Sequence, residues 1–430
     1  MNQPGKAPAR AWVVTLAGTV INLCLGILYA WSVWRAALVN KDHPAGEAMT
    51  GLNEGWTYLT NAQATWAYVI CGFVFALCMI PGGRIQDKYG PRVGGTLSGV
   101  FLMAGCLVAG LTKSYEGLLV GFGLLGGLGM GLGYAAATPV AVKWFGPHQR
   151  GLIVGLVVGG FGGAAIYISP LAEYLLKEFG LTGSFIGLGL LFGVVIISAA
   201  QLLKVPPAGY VPPAPPATFK PKAMTAANWT APQMLKTAQF YGLVFLFFGA
   251  AQSGLLVIGN AKTLLSETAV ISGSVAFFAA NAWLLSSYGG LINATGRVGT
   301  GLYSDRVGRA NAYLINGLIS VVCLALLPVV MKSGQVVLLF LIVGVIYWQY
   351  GGSLALLPAF TADYFGPKNM GTNYGLVFLG WGLAFLVPQA AGYIKDQTGS
   401  FDLSFYISAG ILAAALVVSR VLKRPLLAGE

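Results

Sequence analysis

Long apolar runs alternate with short polar segments along the whole chain. A helix needs about 20 apolar residues to cross the hydrocarbon core of a bilayer. By that measure the pattern predicts twelve spanning helices: 11–36, 59–83, 93–112, 116–142, 150–175, 182–204, 237–262, 275–303, 309–331, 335–360, 371–394 and 401–422. Several contain Pro or many Gly, which a membrane bundle tolerates because small residues let helices approach closely. Between the sixth and seventh runs lies VPPAGYVPPAPPATFKPKAMTAANW, residues 205–229, with seven prolines. That composition predicts an extended linker lying on the surface. It divides the chain into 1–204, a linker of 205–236, and 237–430, with six predicted helices on each side.

The two halves repeat each other. G-R-I-Q-D-K-Y-G-P-R (83–92) matches L-Y-S-D-R-V-G-R (302–309), which aligns Asp87 with Asp305 at an offset of 218 residues. K-W-F-G-P (143–147) matches D-Y-F-G-P (363–367) at an offset of 220 residues. Two matches at nearly one offset predict a duplicated unit. The expected fold is all-α and integral to the membrane, with twelve transmembrane helices in two pseudo-symmetric six-helix bundles. Such an architecture places its binding site between the bundles, near the midplane.

Composition agrees with a membrane protein. Of 430 residues 56% are hydrophobic and only 9% charged, where soluble domains carry about 25%; the mean hydropathy is +0.74. The net charge of +12 is spread over short loops, which speaks for membrane orientation and against nucleic acid. With the N-terminus inside, 17 of the 25 Lys and Arg fall on the inner side, 7 on the outer side, and Arg297 in between. This bias predicts both termini in the cytoplasm of a cell with the chain in its inner (plasma) membrane. The basic start before the first apolar run reads as the flank of a retained first helix, since that run is long enough to span. The five cysteines lie singly in apolar stretches and the two histidines, His43 and His148, lie in loops. No metal site, cofactor or enzyme is expected from these residues, because clusters of His, Cys, Asp or Glu in the helices are missing from the pattern.

Arg297 is the one permanent charge the sequence puts at mid-depth. It precedes Asp305, expected at the inner end of its helix, by eight residues, about 12 Å at 1.5 Å per residue. By the same reasoning Arg35 and Lys262 fall at outer helix ends, where their side chains could snorkel to water. All thirteen acids lie in loops or near helix ends, so Arg297 lacks a carboxylate at its own depth. One outcome is an arginine satisfied by helix carbonyls and polar neighbours. The other is a substrate carboxylate as its counter-ion, which the planar guanidinium fork suits. Asn293 lies at i−4 and shares the face of Arg297. The aromatics Tyr29, Trp31, Trp34, Tyr134, Trp348, Tyr350, Tyr374 and Trp381 could serve packing or binding.

The glycine-rich turns 82–95 and 300–311 join helix to helix with no preceding strand, so they are not phosphate loops. Here the chain resembles the major facilitator superfamily, whose inner loops carry this motif in both halves. The resemblance implies a cytoplasmic gate built from Asp87, Lys88, Asp305, Arg306 and Arg309. The second copy is complete; the first has Lys88 for Arg and Pro91 for a basic residue. Over nearly its whole length the chain is also similar to the oxalate/formate antiporter family and its monocarboxylate transporter relatives. G-I-L-Y-A-W-S-V-W (26–34), Tyr134 before K-W-F-G-P, Y-G-G-S-L-A-L-L-P (350–358), N-Y-G (373–375) and Arg297 in G-R-V-G-T-G-L-Y-S-D-R-V-G-R carry that likeness.

The resemblance implies a secondary transporter whose substrate meets Arg297, Asn293, Tyr134, Tyr350, Leu28, Tyr29 and Trp381. Departures from the family pattern refine this. The second cation of the oxalate carrier falls on Trp381, its glutamine before the helix-one tyrosine on Leu28, and the aspartate of monocarboxylate transporters on Asn293. One cation suits a monoanion, so the expected partner is a short monocarboxylate (lactate, pyruvate, formate or acetate class) with a proton, in a chain acting as a monomer within the lipid bilayer. Strict anion exchange is the alternative. A sugar carrier would want deep acids and amides, and a receptor would want a soluble signalling domain; neither pattern is present in the sequence.

Overall fold

The computed structural model describes residues 7–146, 149–214, 228–272, 276–366 and 369–425. Among these, ten helices are long and apolar enough to cross a membrane. Two features bring ten to the predicted twelve. One of the ten, Leu152–Ala200, is interrupted by Gly180 with φ 67° and so comprises two spans. The helix Leu284–Val307 has 24 residues, long enough to cross, but Arg297, Asn293 and its serines make it too polar to score as apolar.

The spans are α1 (Ala9–Leu38), α2 (Asn61–Tyr89), α3 (Pro91–Thr112), α4 (Tyr115–Val142), α5 (150–179), α6 (181–200), α7 (Ala238–Ser272), α8 (Leu284–Val307), α9 (Arg309–Ser333), α10 (Val336–Phe365), α11 (Met370–Thr398) and α12 (Asp402–Val421). They form two six-helix bundles, α1–α6 and α7–α12. Twelve crossings return the chain to the side on which α1 begins. That side is the terminal face, and the opposite one the far face.

Local chemistry sets the element ends. A reciprocal Thr60–Gln63 capping box starts α2, satisfying amides that the first turn of a helix leaves free. Gly90, φ 88°, ends α2, and Gly308, φ 89°, ends α8. These two glycines stand 218 residues apart in the repeated motif. Both need the left-handed φ region that only glycine enters without strain, so the repeat seen in the letters is also a repeat of backbone geometry.

Two expected boundaries move furthest, and one span has an internal break. The eighth span starts at Leu284; the stretch expected to open it forms a separate short helix, Ala276–Ala280. The seventh runs on to Ser272, ten residues past its expected end, because its polar residues there pair with charges on other helices instead of forming a loop. Within α1 the segment Gly26–Ala30 tightens into a 3-10 turn, so Tyr29 is delivered from a local break rather than from a regular helix.

The bundles meet along three seams: α1 with α7, α2 with α11, and α5 with α8. The α2–α11 seam stays closed from Gly392 beside Asn61 to Gly375 beside Ile80. The α5–α8 seam closes only on its far half. There Gly290 lies against Ala165, and Gly162 against Arg297. One and two turns further toward the terminal face, Gly155, Gly159 and Gly301 have nothing within 4 Å of a Cβ position. They continue the same i, i+3, i+4 stripes, so α5 and α8 part toward the terminal face.

Candidate functional site

Arg297 sits where α5 and α8 cease to touch. It is 5% exposed, and a buried cation requires hydrogen-bond partners. Its Nε donates to Asn293 Oδ1 at 3.2 Å, one Nη to the Val158 carbonyl at 3.1 Å and the other to the Tyr29 hydroxyl at 3.4 Å. Two of these three partners, Val158 and Tyr29, come from the other bundle. The ion pairs among the described residues do not include Arg297. The i−4 relation of Asn293 inferred from spacing is therefore a real bond, and in this arrangement carbonyl and neutral polar neighbours do satisfy the arginine.

A relay of hydrogen bonds leads away from it. The Tyr29 hydroxyl meets that of Tyr350 at 2.6 Å, and the Trp381 indole donates to Tyr350 at 2.8 Å. This joins α8, α1, α10 and α11. Proton bookkeeping along the relay is instructive. Arg297 and Trp381, at its ends, can only donate. The two tyrosines supply one hydroxyl hydrogen each, and the bond between them uses one. The other phenolic hydrogen has no acceptor within the relay. Asn293 Nδ2 is likewise buried with no partner among the described residues. The site thus holds a cation and surplus donors, the complement of an anion's oxygens.

Aromatic rings wall this polar strip. Phe161 packs edge-on to Tyr29 at 4.9 Å and to Tyr134 at 5.7 Å. Phe75 packs edge-on to Trp381 at 5.1 Å and to Tyr134 at 5.4 Å. Phe378 stacks on Trp381 at 4.9 Å and lies 6.3 Å from Tyr134. Rings from α2, α4, α5 and α11 leave little room or dielectric for bulk water, which strengthens the field of the arginine.

Of the residues named from sequence, Arg297, Asn293, Tyr29, Tyr350 and Trp381 come together directly, and Tyr134 joins through the rings. Leu28 is fully buried in the 3-10 turn beside Tyr29. Phe75, Phe161, Phe378 and the Val158 carbonyl escaped the sequence reading. Phe378 stands three residues before Trp381, a same-face spacing that could have flagged it; the others are apolar or backbone groups without a sequence signal. Close helix approach holds Asn293, since a Cβ at Gly351 would lie 2.2 Å from its carbonyl oxygen.

The residues expected to form a cytoplasmic gate divide by bundle. Asp87 pairs with Lys143 at 3.8 Å, and Arg309 with Asp363 at 3.8 Å and with Ser304 Oγ at 2.5 Å. Lys88 lies over the Tyr89 ring at 5.1 Å, and Arg306 is exposed. The Asp305 side chain lies outside the described residues, as do His148 and 215–227 of the linker. Each of the pairs just given stays within its own bundle.

Two sequence expectations are corrected on the far face. Arg35 does not snorkel: it is 2% exposed and donates to Asn61 Oδ1 at 2.6 Å, Thr263 Oγ1 at 3.3 Å and Thr65 Oγ1 at 3.4 Å. Lys262 pairs with Glu173 of the other bundle at 2.5 Å. Among the described residues Arg297 is therefore not the only buried permanent charge, although it remains the one at mid-depth. Snorkelling fails because the helices that carry these groups meet partners there rather than lipid.

The family model described as Major Facilitator Superfamily matches residues 11–388. An uncharacterized MFS-type transporter, YhjX, of Escherichia coli K12 is 27% identical over 382 residues, 88% of this chain and 87% of that protein. The oxalate:formate antiporter of Oxalobacter formigenes is 26% identical over 427 residues, 93% and 94% of the two chains. The apicoplast pyruvate carrier 1 of Toxoplasma gondii is 23% identical over 467 residues, covering 89% and 84%.

Proposed function

The chain belongs to the Major Facilitator Superfamily, and from that premise we propose that it carries a small monocarboxylate, of the L-lactate or pyruvate type, across the membrane by alternating access. Arg297 receives the carboxylate, while the spare phenolic hydrogen of the Tyr29–Tyr350 pair and Asn293 Nδ2 offer further donors. The single observation that carries this reading is a buried guanidinium set among surplus donors with no acidic partner among the described residues. Relatives named for oxalate, formate and pyruvate point to the same chemical class. One mid-depth cation and an indole at Trp381 favour a monoanion over a dianion, since each uncompensated charge in a low-dielectric cavity is costly.

The seams support alternation. The two bundles rock about the site, and the parted terminal half of α5–α8 offers a path to one side. The Lys and Arg bias supports the reading that this side and both termini face the cytoplasm, with the chain in the inner (plasma) membrane. The division at 1–204, 205–236 and 237–430 belongs to the same proposal, with the chain acting as a monomer. Asp87, Lys88, Asp305, Arg306 and Arg309 would close the cytoplasmic side when the far face opens.

Proton symport is the favoured coupling. Val158, Asn293 and Tyr29 supply Arg297 with protein acceptors, which lowers the cost of the return step without cargo. Anion exchange is the second reading, favoured by the lack of a carboxylate partner for the arginine among the described residues. The test is uptake of labelled L-lactate by liposomes holding the purified protein, with an inward proton gradient and no internal anion. Uptake collapsed by a protonophore is expected. Uptake only after preloading with formate or oxalate would establish exchange, and no monocarboxylate flux in either format would overturn the proposal.

A further inference from the structure

The far face is tied by polar bonds between the bundles, and one tie is built like an internal ligand. The Asp396 carboxylate of α11 sits on the first turn of α2. Its Oδ1 accepts from the Asn61 amide and from Asn61 Nδ2, and its Oδ2 from the Ala62 amide, each at 2.8 Å. The next amide of that turn, on Gln63, is bonded by Thr60 Oγ1 of its own bundle at 3.0 Å. Two of the first three amides of α2 therefore rely on the opposite bundle. Asn61 passes the connection inward, its Oδ1 accepting from Arg35 at 2.6 Å. Arg35 in turn bonds Thr263 of α7, across the seam, at 3.3 Å.

Charge favours each step of this chain. A carboxylate at a helix N-terminus is stabilised by the free amides and the helix dipole, and the arginine lies one amide side chain behind it. Hydrogen bonds to ionised groups are about twice as strong as neutral ones. Lys41–Glu267 at 2.9 Å and Lys262–Glu173 at 2.5 Å tie the same face between bundles. On the terminal face the Asp87–Lys143 pair keeps within one bundle.

We infer that Arg35, Asn61 and Asp396 form a latch that holds the far face shut and sets how often it opens. The inference rests on the alternating-access reading above. Parting the bundles withdraws the carboxylate from α2 and Thr263 from Arg35 in a single motion. Two helix amides and a buried cation then lose partners together until water replaces them. Closing restores all of these bonds at once, which makes the latch two-state rather than graded.

The test measures distances, not transport. Spin labels at Leu52→Cys and Val337→Cys, exposed far-face positions on different bundles, report the far face by pulsed electron paramagnetic resonance. A second pair at Leu202→Cys and Val421→Cys reports the terminal face. The full chain is used in nanodiscs, with the half-buried Cys78 replaced by alanine and the other four cysteines buried. Asp396→Asn keeps the shape and one acceptor oxygen but removes the charge; Arg35→Lys keeps the charge but removes the fork. In both, the long far-face distance should gain about tenfold in population while the terminal-face distance shortens. Distributions superimposable on the parent in both variants overturn the latch, and so does equal broadening of both pairs, which is what mere loosening would give. If the parent moves no lactate but Asp396→Asn still opens the far face, the substrate reading fails and the latch stands.

Discussion

The hydroxyls of Tyr29 and Tyr350 meet at 2.6 Å across the interface of the two bundles. Tyr29 comes from a 3-10 turn in α1 and Tyr350 from the middle of α10. Because donor-only groups flank the pair, one phenolic hydrogen is always left to bond something else. The pair is thus a strut between bundles with a spare donor, and under the proposed function a bound carboxylate would act directly on the contact that alternation must rearrange.

Arg297→Ala is expected to lower transport at least about 100-fold, since losing one member of a buried charged hydrogen-bonded set costs about 3 kcal/mol. Arg297→Lys should recover little, because an ammonium cannot reproduce the fork that reaches Asn293, Val158 and Tyr29 together. Uptake is compared at equal amounts of folded protein, checked by circular dichroism. Wild-type rates in the alanine variant would remove the arginine from the site.

Tyr350→Phe removes the central oxygen of the relay and cuts its bonds to Tyr29 and Trp381. The KM for L-lactate should rise about threefold to tenfold, matching roughly 1 kcal/mol for one hydrogen bond, with a smaller change in kcat. Trp381→Phe keeps the ring packing against Phe75 and Phe378 and should show a weaker form of the same effect. An unchanged KM in both variants would mean that the relay is only packing.

Trp381→Lys places a second cation beside the relay. It should strengthen competition by oxalate against labelled lactate, because a dianion then finds two positive partners. Strong oxalate competition in the parent protein would contradict the one-cation account.

Gly351→Ala puts a methyl group 2.2 Å from the Asn293 carbonyl oxygen, a backbone atom that cannot rotate away. The α8–α10 contact must widen, at a cost of about 1 to 3 kcal/mol for overpacking. A lower melting temperature together with reduced transport is expected. Gly371→Ala, where a Cβ meets nothing within 4 Å, is the control and should leave both unchanged.

The repeat could be read from letters because its residues answer local demands. Gly90 and Gly308 serve the same left-handed turn, and both matches recur at nearly one offset. Asn293 and Arg297 were legible as a pair because four residues span one helical turn. Phe75, Phe161 and Val158 were not, since apolar residues and carbonyls look alike wherever they stand. Arg35 misled for a related reason. Its position near a helix end is the same whether that end faces lipid headgroups or another helix.

By itself the sequence determined the number and order of the spans, the duplication, and a mid-depth arginine without a local acid. These follow from segment length, periodicity and composition, which act within a few turns of chain. Only the tertiary structure decided that Tyr29, Tyr350 and Trp381 join the arginine, that Asp396 caps α2 and that α5 and α8 part toward one face. Those contacts link residues up to 335 positions apart, and they exist only once two bundles have packed and fixed which surfaces meet.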